Sequence, residues 1–562
     1  MIALVCLRKI YCCYTCREFE CHGKAGPLGH KPQNDNTVTT QLPLIAALQN
    51  PVVYGHAVAE LQLIETHISW VFLTGEYVYK VKKAVNFGFL DYSTLEKRSF
   101  YCQEELRLNR RFAPHVYIDV VAITGTCEQP SLQGGGKPIE YAVRMKQFPQ
   151  SALLSVLAAQ HTLSSQHIDA LAALLPAMHA AVEIADKHSE FGRPDDIHHW
   201  VMENFEHIRP ALHEAQQLQL LDRIEHWCLQ EFEDRRALLE RRRDEGFIRE
   251  CHGDLHLGNL AIIDDRITPF DGIEFNPQLR WIDVMSEVAF LLMDIRDRGY
   301  LHLARRLLNA YLQHTGDYSG LAVLRYYVVY RALVRAKVAV LRSLQASSTL
   351  DEQDAWYEYA TYMDLASRYV ETPSAALIIT HGVSGTGKSF FATRLAEQLG
   401  AIQLRSDIER KRLYGFAAGA DTKSGIRAGI YSAGASERTY EQLAVLAGTV
   451  IAAGFPVIVD ATFLQLVRRE QFRQLSATLS VPFVLLHFEA DKETLYARIR
   501  RRQAAGEDPS EAGIEVLEAQ LASQDPLLPR EIDAALSVDS CRDKPADTSR
   551  RLNAKIQAML SG

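Results

Sequence analysis

The sequence predicts two folded units of different class in one 562-residue chain. An α+β unit of two lobes covers residues 42–370, and an α/β unit with a parallel sheet covers residues 371–562. Three observations carry this. The length exceeds what one ordinary core organises. Residues 61–145 alternate apolar and polar around one helical stretch, and residues 153–245 then turn almost wholly helical. From Ala375 the pattern changes again, to an apolar strand, a glycine-rich loop and a helix.

Composition narrows the class. The chain is 47% hydrophobic and 23% charged, as in a water-soluble globular protein. A net charge of −8 argues against a general nucleic-acid-binding surface. No apolar run reaches the roughly 18 residues that span a bilayer. Neither membrane nor nucleic acid is therefore an expected partner, and the expected location is the cytoplasm; oligomeric state has no signature here. Cys6, Cys12, Cys13, Cys16 and Cys21 crowd the start. Cys13, Cys16, Cys21 and His22 are zinc-type ligands, but no second well-spaced pair accompanies them. Residues 1–41 are read as a disordered extension, with Gly23 to about Thr40 its linker.

Strands are expected at Leu61–Glu65, Ile68–Leu73 and Tyr77–Lys83, with a Thr74-Gly75-Glu76 turn between the last two. Thr94–Arg111 has helical spacing, and strands return at Val116–Thr124 and Ile139–Met145. Ile168–Ala185 and Trp200–Arg243 are helical, and the charged Glu231–Glu245 stretch reads as a solvated helix face. Gly299–Arg342 and Asp351–Val370 are helical again. Glu371-Thr372-Pro373-Ser374 then forms the joint between units, and a cut at Pro373 is expected to release two soluble pieces.

Between these helices lies His252-Gly253-Asp254-Leu255-His256-Leu257-Gly258-Asn259, followed by a short hairpin and Phe270-Asp271-Gly272. Phosphoryl transfer needs this set: one Asp to take the proton of the attacking hydroxyl, and an Asn with a second Asp to hold Mg²⁺. Residues 42–370 resemble the aminoglycoside phosphotransferase family, which has the protein-kinase-like fold. The resemblance implies Asp254 as catalytic base and Asn259 and Asp271 as metal ligands. It also implies Lys80 as the lysine on the α/β-phosphates, with Lys82 sharing its strand face. Its carboxylate partner is Glu105, or Glu104 one place earlier. Asp283 resembles the family's later Asp that braces the catalytic loop. The turn at residues 65–68 lacks a glycine-rich phosphate cover, and nothing marks an aminoglycoside pocket.

In the C-terminal half, Ala375–Thr380 is a buried strand. Gly382-Val383-Ser384-Gly385-Thr386-Gly387-Lys388-Ser389 then opens the helix Phe390–Leu399. The backbone of Gly382, Ser384, Gly385, Thr386 and Gly387 can turn its amides toward phosphate, and the helix N-terminus adds its positive dipole end. Lys388 reaches the β/γ-phosphates and Ser389 takes a place on Mg²⁺. Asp407 follows the next strand and sits where an acceptor hydroxyl belongs. Asp460 ends an apolar strand in a metal-side position. Arg498, Arg501 and Arg502 share a helix face before the Gly506–Pro509 turn, and Arg498 and Arg502 are expected on a lid over the phosphates. This half resembles the small P-loop kinases that include zeta toxins, gluconate-type kinases and polynucleotide kinases. Asp407 and Arg410 match the Asp-x-x-Arg motif that supplies base and substrate-side arginine in zeta toxins and polynucleotide kinase. The whole chain is similar to the bacterial bifunctional aminoglycoside phosphotransferase-like/ATP-binding proteins.

The expectation is an ATP- and Mg²⁺-dependent phosphotransferase with two nucleotide sites acting on small hydroxylated molecules. The alternatives are a P-loop half that gates the first unit as a nucleotide sensor, or a zeta-toxin- or polynucleotide-kinase-like activity.

Overall fold

The structure, a computed structural model, describes residues 35–87, 90–344, 346, 348–371, 374–417, 420, 429–505 and 512–561. The cysteine-rich start, Pro373 and the Gly506–Pro509 turn lie outside the described residues. Two compact units form. The first takes the chain to Ser164, Ala177–Gly299 and Tyr326–Val370; the second takes Ser165–Pro176, Tyr300–Arg325 and Glu371 onward. No helix among the described residues is long and apolar enough to cross a membrane.

The first unit opens with helix α1 (Asp35–Ala47), which begins inside the stretch read as linker. Leu44, Ile45 and Leu48 bury against Trp70, Phe72 and Tyr79 of the sheet. Pro43 within the helix and few apolar positions hid it from the sequence. The antiparallel sheet runs β1 (Gln62–Glu65), β2 (Ser69–Leu73), β3 (Tyr77–Lys82), β6 (Glu140–Lys146), β4 (Tyr117–Gly125), β5 (Pro130–Ser131) in spatial order. Helix α2 (Leu95–Arg110) is capped by the Thr94 hydroxyl, which accepts from the Lys97 amide, and buries Cys102 and Leu106 against Val116, Tyr117 and Val143.

Helices follow at α3 (Leu154–Ala159), α4 (Ser165–Ala181), α5 (Pro194–Ile208) and α6 (Ala215–Asp244). The helix expected over Trp200–Arg243 is thus two, parted by a 3₁₀ turn that holds Pro210. The solvated-face reading of Glu231–Glu245 fails at two positions. Arg242 is fully buried on an ion pair with Asp283, and Glu231 is buried as well. Short strands β7 (Ile248–Glu250) and β10 (Trp281–Asp283) pair around the hairpin β8 (Leu260–Ile263) and β9 (Arg266–Pro269). Helix α7 (Val284–Asp297) is buried almost throughout. The chain continues through α8 (Leu301–Thr315), α9 (Leu321–Leu344) and α10 (Thr349–Val370), and Gly316 ends α8 in the left-handed region at φ 74°.

The second unit is built on a parallel sheet in the order β12 (Ile402–Arg405), β13 (Val457–Asp460), β11 (Leu377–His381), β14 (Phe483–Glu489), β15 (Leu536–Asp539). The strands are apolar runs because helices cover both faces. Around it lie α11 (Lys388–Leu399), α12 (Ser406–Leu413), α13 (Ala433–Ala452), α14 (Leu466–Thr478), α15 (Lys492–Ala505), α16 (Ile514–Ser523), α17 (Pro529–Ala534) and α18 (Pro545–Ser561). Leu552 and Ile556 of α18 pack with Leu395 and Leu399 of α11 against the sheet. Helix α8 belongs here. Asn309 accepts from the Gln403 amide (2.7 Å) and donates to the Ala401 carbonyl (3.0 Å), and Arg306 pairs with Glu397.

Candidate active sites

In the first unit, β3 carries Lys80 and Lys82 on one face, two residues apart as the strand period requires. Both bond the fully buried Glu105 of α2, Lys80 at 2.9 Å and Lys82 at 2.7 Å. Glu105 is thus the partner that the sequence left open, and Glu104 instead pairs with Arg107. Lys80 also reaches Asp271 at 2.6 Å. Lys82 pairs with Glu274, a carboxylate that also accepts from the Tyr92 hydroxyl (2.6 Å). Burial pushes the Glu105 carboxyl up, but the two lysines outweigh it and hold it ionised.

The loop after β7 brings Asp254, His256 and Asn259 together. Asn259 Nδ2 donates to the Asp254 carbonyl (3.0 Å) and carboxylate (3.2 Å). His256 Nε2 lies 3.6 Å from the same carboxylate. Backbone bonds tie this loop to the Asp271 turn: Phe270 N donates to Asn259 O (3.0 Å) and Ile273 N to His252 O (3.0 Å). Burial raises the Asp254 carboxyl, yet His256, His252 and Arg335 hold it below its ordinary value, so it is ionised and can accept a proton. Asp271 sits at φ 62°, a strained backbone for a non-glycine residue, and its amide donates to the Tyr117 hydroxyl (3.0 Å). Its second carboxylate oxygen is buried without a hydrogen-bond partner, and burial raises its carboxyl. A buried, partnerless carboxylate oxygen beside Asn259 fits a divalent cation.

The loop's brace differs from the expectation. Asp283 grips Arg242 with both oxygens (2.7 and 2.8 Å) and caps α7 through the Met285 amide. It ends β10, so its hold on the loop passes through the β7 pairing. The direct hold comes from α7. Glu287 accepts from the His252 (2.6 Å) and Gly253 (3.1 Å) amides and lies 3.0 Å from His179 Nε2. Asp294 accepts from the Leu257 amide (2.9 Å). These residues carry no local motif, and only their burial in an apolar helix marks them.

In the second unit, the loop after β11 has the predicted backbone. Gly382, Gly385 and Gly387 all lie at positive φ, and a Cβ on Gly382 would stand 2.6 Å from the Phe488 carbonyl. Thr386 and Lys388 both donate to the Val383 carbonyl (2.8 Å each), and Ser384 N donates to Gln520 (2.8 Å). Ser389 hydrogen-bonds Asp460, which also accepts from Gln403 Nε2 (3.0 Å). A hydroxyl and a carboxylate meeting at the helix start fit a Mg²⁺ ion. Burial lowers Lys388 to about 8, and Arg502 adds to the fall against Asp460 and Asp407.

Ser384, Gly385, Gly387, Lys388, Ser389 and Asp460 line one cavity of about 900 Å³ with Asp407, Arg410, Arg498 and Arg502. Arg498 donates to the Gly385 carbonyl (3.1 Å) and to Ser540, and Arg502 to the Ala512 carbonyl (2.5 Å). Arg405 and Arg468 line the same cavity. Neither stands in a motif, so sequence reasoning missed both.

Two family models match the chain. The phosphotransferase enzyme family model covers residues 97–327, and an AAA domain model covers residues 377–527. Uncharacterized proteins of Mycobacterium tuberculosis and Mycobacterium bovis are each 27% identical over 464 residues, 82% of this chain and 90% of theirs. Among solved structures, a choline/ethanolamine kinase family protein from Mesorhizobium loti covers 59% of this chain and 97% of its own, at 9% identity and a TM-score of 0.35. A gluconokinase from Sinorhizobium meliloti covers 34% and 95%, at 18% identity and a TM-score of 0.25. Likenesses of that size identify neither substrate nor partner. Residues 97–327 are a domain of the phosphotransferase enzyme family and residues 377–527 a P-loop domain of the AAA type, and the chain that joins them is a kinase-type phosphotransferase.

Proposed function

We propose that each unit transfers the γ-phosphoryl group of ATP to a hydroxyl of a small molecule in the cytoplasm. One observation carries the reading: each unit sets a phosphate-side lysine beside an ionisable acceptor-side carboxylate and a cation-type ligand pair. In the first unit these are Lys80, Asp254, and Asn259 with Asp271. In the second they are Lys388, Asp407, and Ser389 with Asp460, all lining one cavity. A nucleotide sensor needs Lys388 but no base across from it, so Asp407 in that cavity favours a second kinase over a gating module.

The chemistry follows from the residues. Asp254 or Asp407 takes the acceptor's hydroxyl proton as the oxygen attacks the γ-phosphorus. The bond from that phosphorus to the β,γ-bridging oxygen breaks, and its electron pair leaves on ADP. Lys80 and Lys388 hold the phosphates, while Arg498 and Arg502 face the charge that builds on the transferring group. Mg²⁺ held at either ligand pair supplies further positive charge there.

Separable loss of activity tests this. Asp254→Asn and Lys388→Ala should each abolish a distinct part of Mg²⁺-dependent phosphoryl transfer from γ-labelled ATP in a screen of hydroxylated metabolites. A double variant that turns over ATP like the wild type ends the proposal.

A further inference from the structure

The first unit holds a small cavity of about 30 Å³ apart from its catalytic loop. Trp200 of α5, Trp281, Asp283 and Ser286 at the junction of β10 and α7, and Tyr327 and Arg331 of α9 line it. Asp254, His256 and Asn259 do not. The Phe290 ring packs against both the His256 ring (5.7 Å between centroids) and the Arg331 guanidinium (5.1 Å).

Arg331 is the informative residue. It is 5% exposed, donates to the Ser286 hydroxyl (3.2 Å) and stacks on Phe290 and Tyr330. Its Nε is buried without a hydrogen-bond partner. Among the described residues no carboxylate pairs with it. Asp283, the nearest in the cavity wall by sequence to Ser286, is taken by Arg242 through both oxygens (2.7 and 2.8 Å). Asp196 also lines the cavity but forms no ion pair with Arg331. Tyr327 is 2% exposed, and its hydroxyl likewise has no partner. Burial pushes that phenol well above its ordinary range, so it keeps its proton and can donate.

A water molecule would satisfy these donors and leave the buried guanidinium charge uncompensated, which is costly. An anion satisfies donors and charge together. Size then selects the anion. The cavity has about the volume that one water occupies in the liquid, roughly 30 Å³, so a halide or the head of a very small carboxylate fits, whereas a phosphate ester or a sugar acid does not.

We propose that the corner of β10, α7 and α9 binds one small monovalent anion, chloride or a formate-sized carboxylate, between the Arg331 guanidinium and the Tyr327 hydroxyl. The ion is no reactant, and the site stands whether or not this unit transfers phosphate. It neutralises the cation bonded to Ser286, the residue before Glu287, which holds the His252 and Gly253 amides. Its occupancy therefore firms the helix from which the catalytic loop hangs.

The test melts the full chain with saturating Mg²⁺ and a non-hydrolysable ATP analogue, so that the phosphate-binding groups are filled. Ionic strength is held constant while sodium gluconate is replaced by chloride, by formate or by methanesulfonate. Chloride or formate should raise the melting temperature saturably, by about 3 °C at a hundredfold excess over its dissociation constant. Methanesulfonate, too bulky for the cavity, should match gluconate, and the stronger of the other two arms identifies the ion. Arg331→Met should abolish the response while melting in gluconate no lower than the wild type, because an apolar chain replaces a buried charge. Tyr327→Phe should weaken anion affinity at least fivefold, and it decides alone if Arg331→Met does not fold. Crystals grown in bromide should show an anomalous peak within hydrogen-bonding reach of Arg331 Nε and the Tyr327 hydroxyl. Equal effects of all four anions, a response that survives the variants, or a site holding water only in the bromide crystals overturns the proposal.

Discussion

Lys388 is 8% exposed and bonded only to a carbonyl, so its ammonium is poorly compensated until phosphates arrive. Burial drops it from 10.5 to about 8. Between those values the unfolded chain holds a proton that the folded chain lacks, so this lysine makes the nucleotide-free protein more stable as pH rises through that window. Nucleotide phosphates should restore the charged form. Binding of ATP at pH 8.5 is therefore expected to take up a proton, read as a dependence of calorimetric enthalpy on buffer ionisation, and Lys388→Ala should abolish that part of the uptake. Gly382 gives a steric counterpart. At φ 143°, with the Phe488 carbonyl 2.6 Å from any Cβ, Gly382→Ala should cost about 1–3 kcal/mol by denaturation and weaken nucleotide binding. Both residues were legible in the sequence because a phosphate loop is contiguous and its spacing is dictated by one anion. Arg468 was not. It meets Asp407's cavity from α14, sixty-one positions along the chain, and no local pattern marks such a meeting.

At the scale of elements, the catalytic loop of the first unit is suspended from α7. Glu287 takes two loop amides through one oxygen, and its carboxyl is held down at about 2 by His179 and these bonds, although burial alone would raise it. Glu287→Ala leaves two buried amides unpaired. It should cost about 2–5 kcal/mol and lower kcat at the Lys80 site without changing transfer at the Lys388 site. Strand β3 offers the second test. Lys82 is fully buried between Glu105 and Glu274 and touches no other predicted site residue. Lys82→Met should destabilise the protein by about 3–5 kcal/mol, read by urea denaturation, because two carboxylates lose their cation. The helix and strand periods were legible, and so was the contiguous loop from His252 to Asn259. The suspension was not, since Glu287 lies thirty-three residues beyond Asp254 in an apolar helix that reads as plain core. Arg242 misled in the opposite sense: within a run of charges it resembled solvated surface, whereas its partner Asp283 draws it fully inside.

At the scale of the whole chain, a composition break at Pro373 suggests two halves that separate cleanly, but packing divides the molecule differently. Helix α8, far upstream of that break, belongs to the unit built on the parallel sheet. Its Asn309 amide closes the edge strand β12 through Ala401 and Gln403, and the Gln403 side chain in turn donates to Asp460. The Tyr318 hydroxyl, just beyond α8, donates to the buried Glu409 of α12 (2.8 Å), the helix that presents Asp407 and Arg410. A fragment starting at Ala375 lacks Asn309 and Tyr318, so the buried Gln403 amide and Ala401 carbonyl lose their partner and Glu409 keeps only Arg412. Such a fragment should melt well below the same unit in the full chain and should bind nucleotide weakly. A fragment that melts like the intact protein would show that α8 contributes nothing. Asn309→Ala in the full chain isolates one part of this: a loss of about 1–3 kcal/mol, with Mg²⁺ affinity at the Lys388 site reduced because Gln403 no longer fixes Asp460.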